Sequence, residues 1–330
     1  IGSTPQENAT IMRRILSGEE KGAKRTAIVL NAGAALYADR KAACLAGGIE
    51  LAGKILDEKK GLHVLNEYIA ATHTAAVYKR LADDMEKTSL SEMKKAAENM
   101  SPLKKKTFKE ALRKNGMSFI CEVKKASPSK GTIVDDFPYI EIAQEYEAAG
   151  ADAVSVLTER DYFKGSIEYL RDIAKSIGLP VLRKDFIVEP YQIYEAKAAG
   201  ASAVLLICAL LPQEELTELV DLTRSLDMDA LVEAHNKEEI SQALWAGSDI
   251  IGVNNRNLKD FTVSLDTSVN LRRAVPKEII FVAESGICSA EDISLLRKKR
   301  VDAVLIGESL MRSDDKKGTL AALKGGSGED

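Results

Sequence analysis

Hydrophobic residues change their spacing twice along this chain. Over residues 1–62 they recur at helical intervals. Ile11, Met12, Ile15 and Leu16 share one face of a helix starting at Asn8 or Thr10, before Gly18 and Gly22. An Ala-rich run follows over Ala27–Ala38, and Leu45, Ile49, Ala52 and Ile55 line a third segment from Lys41 to Leu56. A piece this short buries little core alone and is expected to dock on something. Residues 63–115 stay helical but turn lysine-rich, with Lys94, Lys95, Lys104, Lys105, Lys106 and Lys109. Such a run reads as a solvated helix face.

From Met117 onward the pattern is periodic on a longer scale. Short β-branched or apolar runs occur at 117–124, 152–158, 180–184, 203–208, 229–234, 249–254, 279–284 and 302–307. Amphipathic stretches lie between them, among them Tyr139–Ala149, Tyr191–Ala199, Gln213–Leu226 and Ala290–Lys298. Gly150, Gly200 and Gly247 stand just before strands, where helices stop. Strands alternating with helices predict a parallel sheet covered by helices, and eight such units are the number that closes a (βα)8 TIM barrel. An open, doubly wound sheet needs no count of eight, and no glycine-rich nucleotide turn follows the first strand here. The expected fold is therefore an α/β barrel with an N-terminal helical extension.

Composition narrows the chemistry. The net charge of −4 is far from the basic excess of a nucleic-acid binder, so any anion site must be built locally. No apolar run approaches the roughly 18 residues that span a membrane, and IGSTPQENAT at the start lacks the order of a signal peptide. Cys44, Cys121, Cys208 and Cys288 are scattered without a CxxC pair, three of them in apolar, strand-like contexts. They read as buried free thiols of a reducing cytoplasm. With only His63, His73 and His235, no metal site is expected.

In such a barrel alternate strand residues point inward, and chemistry belongs at the C-terminal strand ends. The first strand puts Ser118, Ile120, Glu122 and Lys124 on one face. The third places Leu182 and Lys184 together, the fifth Leu231 and Glu233, and the sixth Ile250, Gly252 and Asn254. Two carboxylates, two ammonium groups and an amide thus converge on one mouth. Structural ion pairs plugging the barrel would give the same pattern, but buried charges are costly and are not kept for stability alone. After the last two strands come Glu284-Ser285-Gly286-Ile287 and Ile306-Gly307-Glu308-Ser309. Their glycines let backbone N–H groups approach an anion where barrels commonly hold phosphate. The loop Ala126-Ser127-Pro128-Ser129-Lys130-Gly131 is a turn by composition, suited to closing over substrate. The residues alone reach as far as a phosphosubstrate lyase or isomerase that uses Lys and Glu as acid and base.

Several strings carry a family resemblance. Glu122-Val-Lys-Lys-Ala-Ser-Pro-Ser-Lys-Gly131 closely resembles the signature of the indole-3-glycerol-phosphate synthases. So do Ser155-Val-Leu-Thr158, Leu182-Arg-Lys-Asp-Phe-Ile187, Leu231-Val-Glu-Ala-His235, Gly252-Val-Asn-Asn-Arg256, Glu284-Ser-Gly286 and Leu305-Ile-Gly-Glu-Ser-Leu-Met311. They occur in family order over about residues 63–330. The resemblance implies ring closure of 1-(2-carboxyphenylamino)-1-deoxyribulose 5-phosphate to indole-3-glycerol phosphate in tryptophan biosynthesis, with loss of carbon dioxide and water and without metal or organic cofactor. It implies Lys184 as general acid, Lys124 on the anthranilate carboxylate and as an acid in dehydration, and Glu233 and Glu122 as charge stabilisers or bases. Asn254, Arg256, Ser127 and Phe186 match substrate-binding positions, and Ser285, Gly286, Gly307 and Glu308 match phosphate-binding ones. The Glu308 carboxylate would repel phosphate, so only its backbone N–H is credited. Lysines close to one another are expected to have lowered pKa values.

Residues 1–62 resemble a different family. Pro5-Gln-Glu-Asn-Ala9, Ile15-Leu-Ser-Gly18 and Leu30-Asn-Ala-Gly-Ala-Ala-Leu-Tyr37 are similar to the C-terminal end of anthranilate phosphoribosyltransferase, without that family's glycine-rich diphosphate-binding stretch. No transferase activity is expected. Two competing readings make different demands. A phosphoribosylanthranilate isomerase-like barrel needs a different acid/base pair from Lys124 and Lys184. A barrel kept as a scaffold, with the helical segment docking on a partner, has no need of the polar mouth. The expected partners are a phosphorylated small molecule and other enzymes of the tryptophan pathway, with no nucleic acid or membrane.

Overall fold

A computed structural model describes residues 5–100, 105–128, 131–134, 136–257 and 262–325, apart from the side chains of residues 5–7, 9, 10, 63 and 66–74. Ser129 and Lys130 of the first strand's loop lie outside the described residues. Two compact units divide within a long helix, between Ala75 and Ala76.

The first unit holds α1 (Pro5–Leu16), α2 (Ala23–Ala38), α3 (Leu45–Asp57) and the start of α4 (Lys60–Lys87). Its core is small: Ile15, Val29, Ala52 and Leu56 are buried together, with Ile11, Leu16 and Ile49 packed alongside. Arg25 ties α2 to α3 through a 2.7 Å contact with Asp57. Helix α1 begins earlier than the apolar spacing predicts, at Pro5 rather than at Asn8 or Thr10.

The second unit is the barrel. Its strands are β1 (Ser118–Val123), β2 (Ala153–Leu157), β3 (Val181–Lys184), β4 (Ala203–Ile207), β5 (Asp229–Ala234), β6 (Ile250–Asn254), β7 (Ile280–Glu284) and β8 (Ala303–Ile306). All neighbours are parallel, and β8 pairs back onto β1, with Ile120 opposite Leu305. The predicted runs exceed these strands by one or two residues at most. Even-numbered residues of β1, β3, β6 and β7 and odd-numbered ones of the other four face the axis. They form an inner core of Ile120, Ala153, Leu182, Leu205, Leu231, Ile250, Val282 and Leu305. The alternate set packs outward against the helices, as with Phe119, Val154, Val204, Val232, Phe281 and Val304.

Helices α7 (Tyr139–Ala148), α8 (Ile167–Ser176), α9 (Pro190–Ala198), α10 (Gln213–Ser225), α11 (Lys237–Trp245), α12 (Asp266–Leu271), α13 (Ala290–Lys298), α14 (Glu308–Met311) and α15 (Lys316–Lys324) follow the strands. Gly150, Gly200 and Gly247 carry the positive φ that stops a helix, as does Arg300 in the matching place before β8.

After α5 (Leu90–Glu98), the lower end of the barrel is closed by α6 (Phe108–Leu112), whose Phe108 and Leu112 belong to the inner core. Thr107 and Glu110 form a capping box, Lys109 N–H donates to Asp229 at 2.8 Å, and Ser118 Oγ donates to Leu112 O at 3.1 Å. Of the lysine-rich run, Lys104 lies outside the described residues, and Lys105 and Lys109 are not simply solvated. Lys109 Nζ meets Asp249 at 2.9 Å, and Lys105 Nζ donates to Ala174 O at 2.6 Å, capping α8. The cysteine expectation also needs correction: Cys121 and Cys208 are buried, but Cys44 and Cys288 are exposed. Cys288 follows β7 by four residues, beyond the reach of strand burial.

Candidate active site

The expected mouth forms at the C-terminal strand ends, and it holds one more carboxylate than the sequence reading assigned. Glu122 (β1), Lys184 (β3), Glu233 (β5) and Glu284 (β7) face the axis just above the inner apolar core, with Lys124 directly after β1 and Asn254 ending β6. Glu122, Glu233 and Glu284 are buried. Lys184 Nζ stands 3.5 Å from an oxygen of Glu233 and 3.5 Å from one of Glu284, so one ammonium is shared by two carboxylates. Lys124 is paired with Glu122 in a separate, short contact. Asn254 Nδ2 donates to Glu233 Oε1 at 3.3 Å, while its own Oδ1 accepts from Arg256 N–H at 3.0 Å.

The electrostatics correct one expectation. Burial pulls the Lys184 pKa down, but Glu284, Glu233 and Glu122 outweigh it, and the ammonium ends above the ordinary lysine value. Carboxylates, not other lysines, dominate its surroundings, so a lowered pKa does not arise from proximity to Lys124. Burial likewise pushes Glu233 up, yet Lys184, His235 and Asn254 overcome it and hold this carboxylate well below its usual range. Glu284 goes the other way. Burial, reinforced by the charges of Glu233 and Glu122, exceeds the attraction of Lys184 and raises it from 4.5 to about 8. Two buried carboxylates beside one ammonium cannot both ionise cheaply, and the direct partners of Glu233 decide which keeps its proton. The site thus contains a fixed anion and a carboxyl that titrates near neutrality.

Glu284 was legible in principle. Ile280, Val282 and Glu284 share a face of β7 by the same alternation that picks out Glu122 and Glu233. It also opens the string Glu284-Ser285-Gly286, whose glycine turn by itself points to phosphate.

Lys184 is held in register from behind. Arg183 points outward and is buried, with Glu195 at 2.7 Å, Asp185 at 3.2 Å and the Gln192 carbonyl at 2.6 Å. Asp185 also accepts from Thr158 Oγ1 at 2.5 Å. The residues on either side of Lys184 are thereby fixed to β2 and α9. Phe186 packs partly buried near Phe163, ring centroids 6.4 Å apart.

Gly252 is small for a reason visible in the site. A Cβ there would collide with Glu284 Oε1 and lie 3.2 Å from Leu231 Cδ1. Its backbone is not in the left-handed region, so the constraint is space alone. Gly252→Ala is expected to displace the Glu284 carboxylate and lower kcat by roughly 10- to 100-fold, with a stability loss of about 1–3 kcal/mol. Steady-state kinetics with urea unfolding would check this; a variant with unchanged kcat would mean that the position of Glu284 is immaterial.

At the opposite rim, Ser285 and Gly286 both have positive φ, and a Cβ on Gly286 would strike Val263. Asn255 Nδ2 donates to Ser285 O at 3.1 Å, bracing this turn. Gly307 N-caps the short α14, and the Glu308 side chain turns to Arg312 Nε at 3.2 Å. The Glu308 carboxylate is thus engaged with the cation that caps its own helix. Arg256 pairs by an isolated bridge with Val263. Ser127 lies in a two-residue antiparallel ladder, Ala126 opposite Thr132 and Ser127 opposite Gly131. The loop after β1 is therefore hairpin-like rather than a bare turn.

Comparison with known proteins bears on the whole arrangement. Residues 69–323 match the family described as indole-3-glycerol phosphate synthase, and residues 1–62 match the glycosyl transferase family, a/b domain. The chain is 55% identical over 227 residues to the indole-3-glycerol phosphate synthase of Ruminiclostridium cellulolyticum, covering 69% of this chain and 86% of that protein. It is 51% identical over 265 residues to the one of Endomicrobium trichonymphae, covering 79% and 99%. Among solved structures, KGPDC from Streptococcus mutans superposes with a TM-score of 0.52 at 11% identity, over 64% of this chain and 97% of that one, a likeness of fold alone.

Proposed function

The chain belongs to the indole-3-glycerol phosphate synthase family, and from that premise we propose how its polar mouth performs the ring closure. The activity is that of a carboxy-lyase of tryptophan biosynthesis acting on a phosphorylated small molecule. The observation that carries the assignment of roles is the single Lys184 ammonium held between Glu233 and Glu284, opposite the Lys124–Glu122 pair.

The substrate is 1-(2-carboxyphenylamino)-1-deoxyribulose 5-phosphate. Its electron-rich aryl carbon attacks the ketone, a carbon–carbon bond forms, and the carbonyl oxygen becomes an alkoxide that needs a proton. Lys184 supplies it. Its resting pKa is high because anions surround it, so the proton moves only where the developing alkoxide is the stronger base. The cationic ring intermediate that forms is stabilised by the fixed charge of Glu233. Loss of carbon dioxide returns its electron pair to the ring. The hydroxyl then leaves as water with a proton from Lys124, and a carboxylate takes the last proton. Glu284, titrating near neutrality, is suited to that exchange, and Glu122 pairs with Lys124 to reset it.

Lys124 also meets the aryl carboxylate, and Asn254, Arg256, Ser127 and Phe186 orient the substrate. The phosphate takes the backbone N–H groups of Ser285, Gly286, Gly307 and Glu308. We further propose a cytoplasmic location, supported by the free cysteines. Association with other tryptophan-pathway enzymes is supported by the match of residues 1–62 to a transferase family. Residues 1–62 and 63–330 are proposed as its two sequence domains.

The test is direct. The purified chain is expected to convert the carboxyphenylamino-deoxyribulose phosphate to indole-3-glycerol phosphate, followed by indole absorbance and carbon dioxide release. A folded chain that forms neither product would restrict the reading to fold.

A further inference from the structure

His235 stands two residues beyond Glu233 on the same side of the barrel and is not needed by any step above. Its ring lies between two carboxylates: Nε2 is 3.3 Å from Glu233 Oε1, and Nδ1 is 3.0 Å from Glu239 Oε2. A neutral imidazole has one N–H and one lone pair, so in either tautomer one carboxylate would face a lone pair. Only the imidazolium serves both. Glu239 is itself fixed, accepting from His235 N–H at 2.8 Å and Asn236 Nδ2 at 2.7 Å in the first turn of α11. The two oxygens of Glu233 are thereby divided. Oε1 faces His235 and Asn254, and Oε2 faces Lys184.

We propose that His235 is a positioning residue for the ring closure: as an imidazolium clamped between Glu233 and Glu239, it keeps Glu233 oriented and ionised while the Lys184 proton is given to the substrate. The proposal rests on the catalytic reading above. When Lys184 gives up its proton, Glu233 loses the charge on its Oε2 side, and at that moment the cationic intermediate needs a full negative charge opposite it. His235 supplies the remaining counter-charge from a direction the substrate does not occupy.

The groups facing His235 support this. Glu233 comes from its own strand and Glu239 from α11. Lys184 (β3) and Asn254 (β6) lie on the far side of Glu233. Cys208, after β4, donates to the Glu239 carbonyl and is kept neutral by burial, which pushes the thiol up to about 12. Burial pulls His235 down, but its contacts with Glu233 and Glu239 prevail and raise it from 6.5 to about 10.

The experiment has two arms. In the intact chain, the three histidines are titrated by 15N-edited NMR, with His235 assigned by its loss in His235→Gln. Its ring is expected to stay doubly protonated through pH 8; titration at or below 6.5 would overturn the proposal without any variant having to fold or react. In the kinetic arm, His235→Gln is expected to lower kcat by roughly 10- to 100-fold with KM within about twofold. It should also raise the acid limb of kcat/KM by about one pH unit. Glu239→Gln should move the same limb in the same direction, and the double variant should be no worse than His235→Gln. An acid limb that stays in place with only Tm or KM altered would reduce His235 to a structural role. A wild-type chain without turnover would remove the catalytic reading, while the NMR arm would still report whether the clamp exists.

Discussion

Lys184→Ala should lower kcat by roughly 10³- to 10⁴-fold, at the upper end of what one general acid contributes. The effect should fall on kcat rather than KM, since the lysine acts on an alkoxide that exists only after attack begins. A second consequence follows from burial. Lys184 is the cation shared by Glu233 and Glu284, and removing one partner of a buried ion pair typically costs about 3–5 kcal/mol. At neutral pH Glu284 is already protonated, so the charge left without its ammonium is that of Glu233. Lys184→Met keeps more of the volume, and Lys184→Met with Glu233→Gln removes the stranded carboxylate along with the ammonium. The double variant should regain stability in urea unfolding but no activity. A folded Lys184→Met chain keeping more than about a tenth of the rate would remove Lys184 from the proton transfer, because general acids contribute at least about 100-fold.

Glu284→Gln should abolish a break in the pH profile. With a pKa of about 8, Glu284 is protonated at neutral pH and can take the last proton only once it has ionised, so wild-type kcat is expected to rise with pH and level off above about pH 8. The glutamine variant should show no such break and a rate lower by about 10²-fold. Stability follows the same group. Its folded pKa lies above the ordinary 4.5, so the folded chain binds the proton more tightly. The resulting stability is fully present below about 4.5 and is lost as pH rises through 8. His235 contributes with the same sign over a more alkaline window, from 6.5 to about 10. The difference in Tm between wild type and Glu284→Gln, measured from pH 5 to 9, therefore isolates Glu284. The wild type should lose ground to the variant across that span, and parallel curves would show that Glu284 is ionised throughout.

The barrel was legible because period-two alternation and the helical intervals between strands are both local signals, and closure needs only their count. The strands came within two residues of the predicted runs. The inward faces of Glu122, Lys184, Glu233 and Asn254 followed from the same rule. What alternation cannot carry is which groups meet across the axis. The sharing of Lys184 between Glu233 and Glu284 depends on residues a hundred positions apart, and so does the sign of the lysine's pKa shift. The clamp of His235 on Glu239 is a second example. It needs the first turn of α11 to return beside the end of β5, a matter of loop geometry rather than periodicity. Lys105 and Lys109 failed for a related reason: a lysine run is solvated only where no carbonyl or carboxylate comes back to meet it.

The lower end of the barrel has a further consequence. Phe108 and Leu112 fill it, continuous with the layer of Ile120, Leu182 and Leu231, so the catalytic chamber is a cup and not a tube. Carbon dioxide and water, released at different stages, must leave past the same rim through which the substrate entered. Turnover then becomes a matter of traffic in a single doorway, where the small products have to escape around the large one before a new substrate can be admitted.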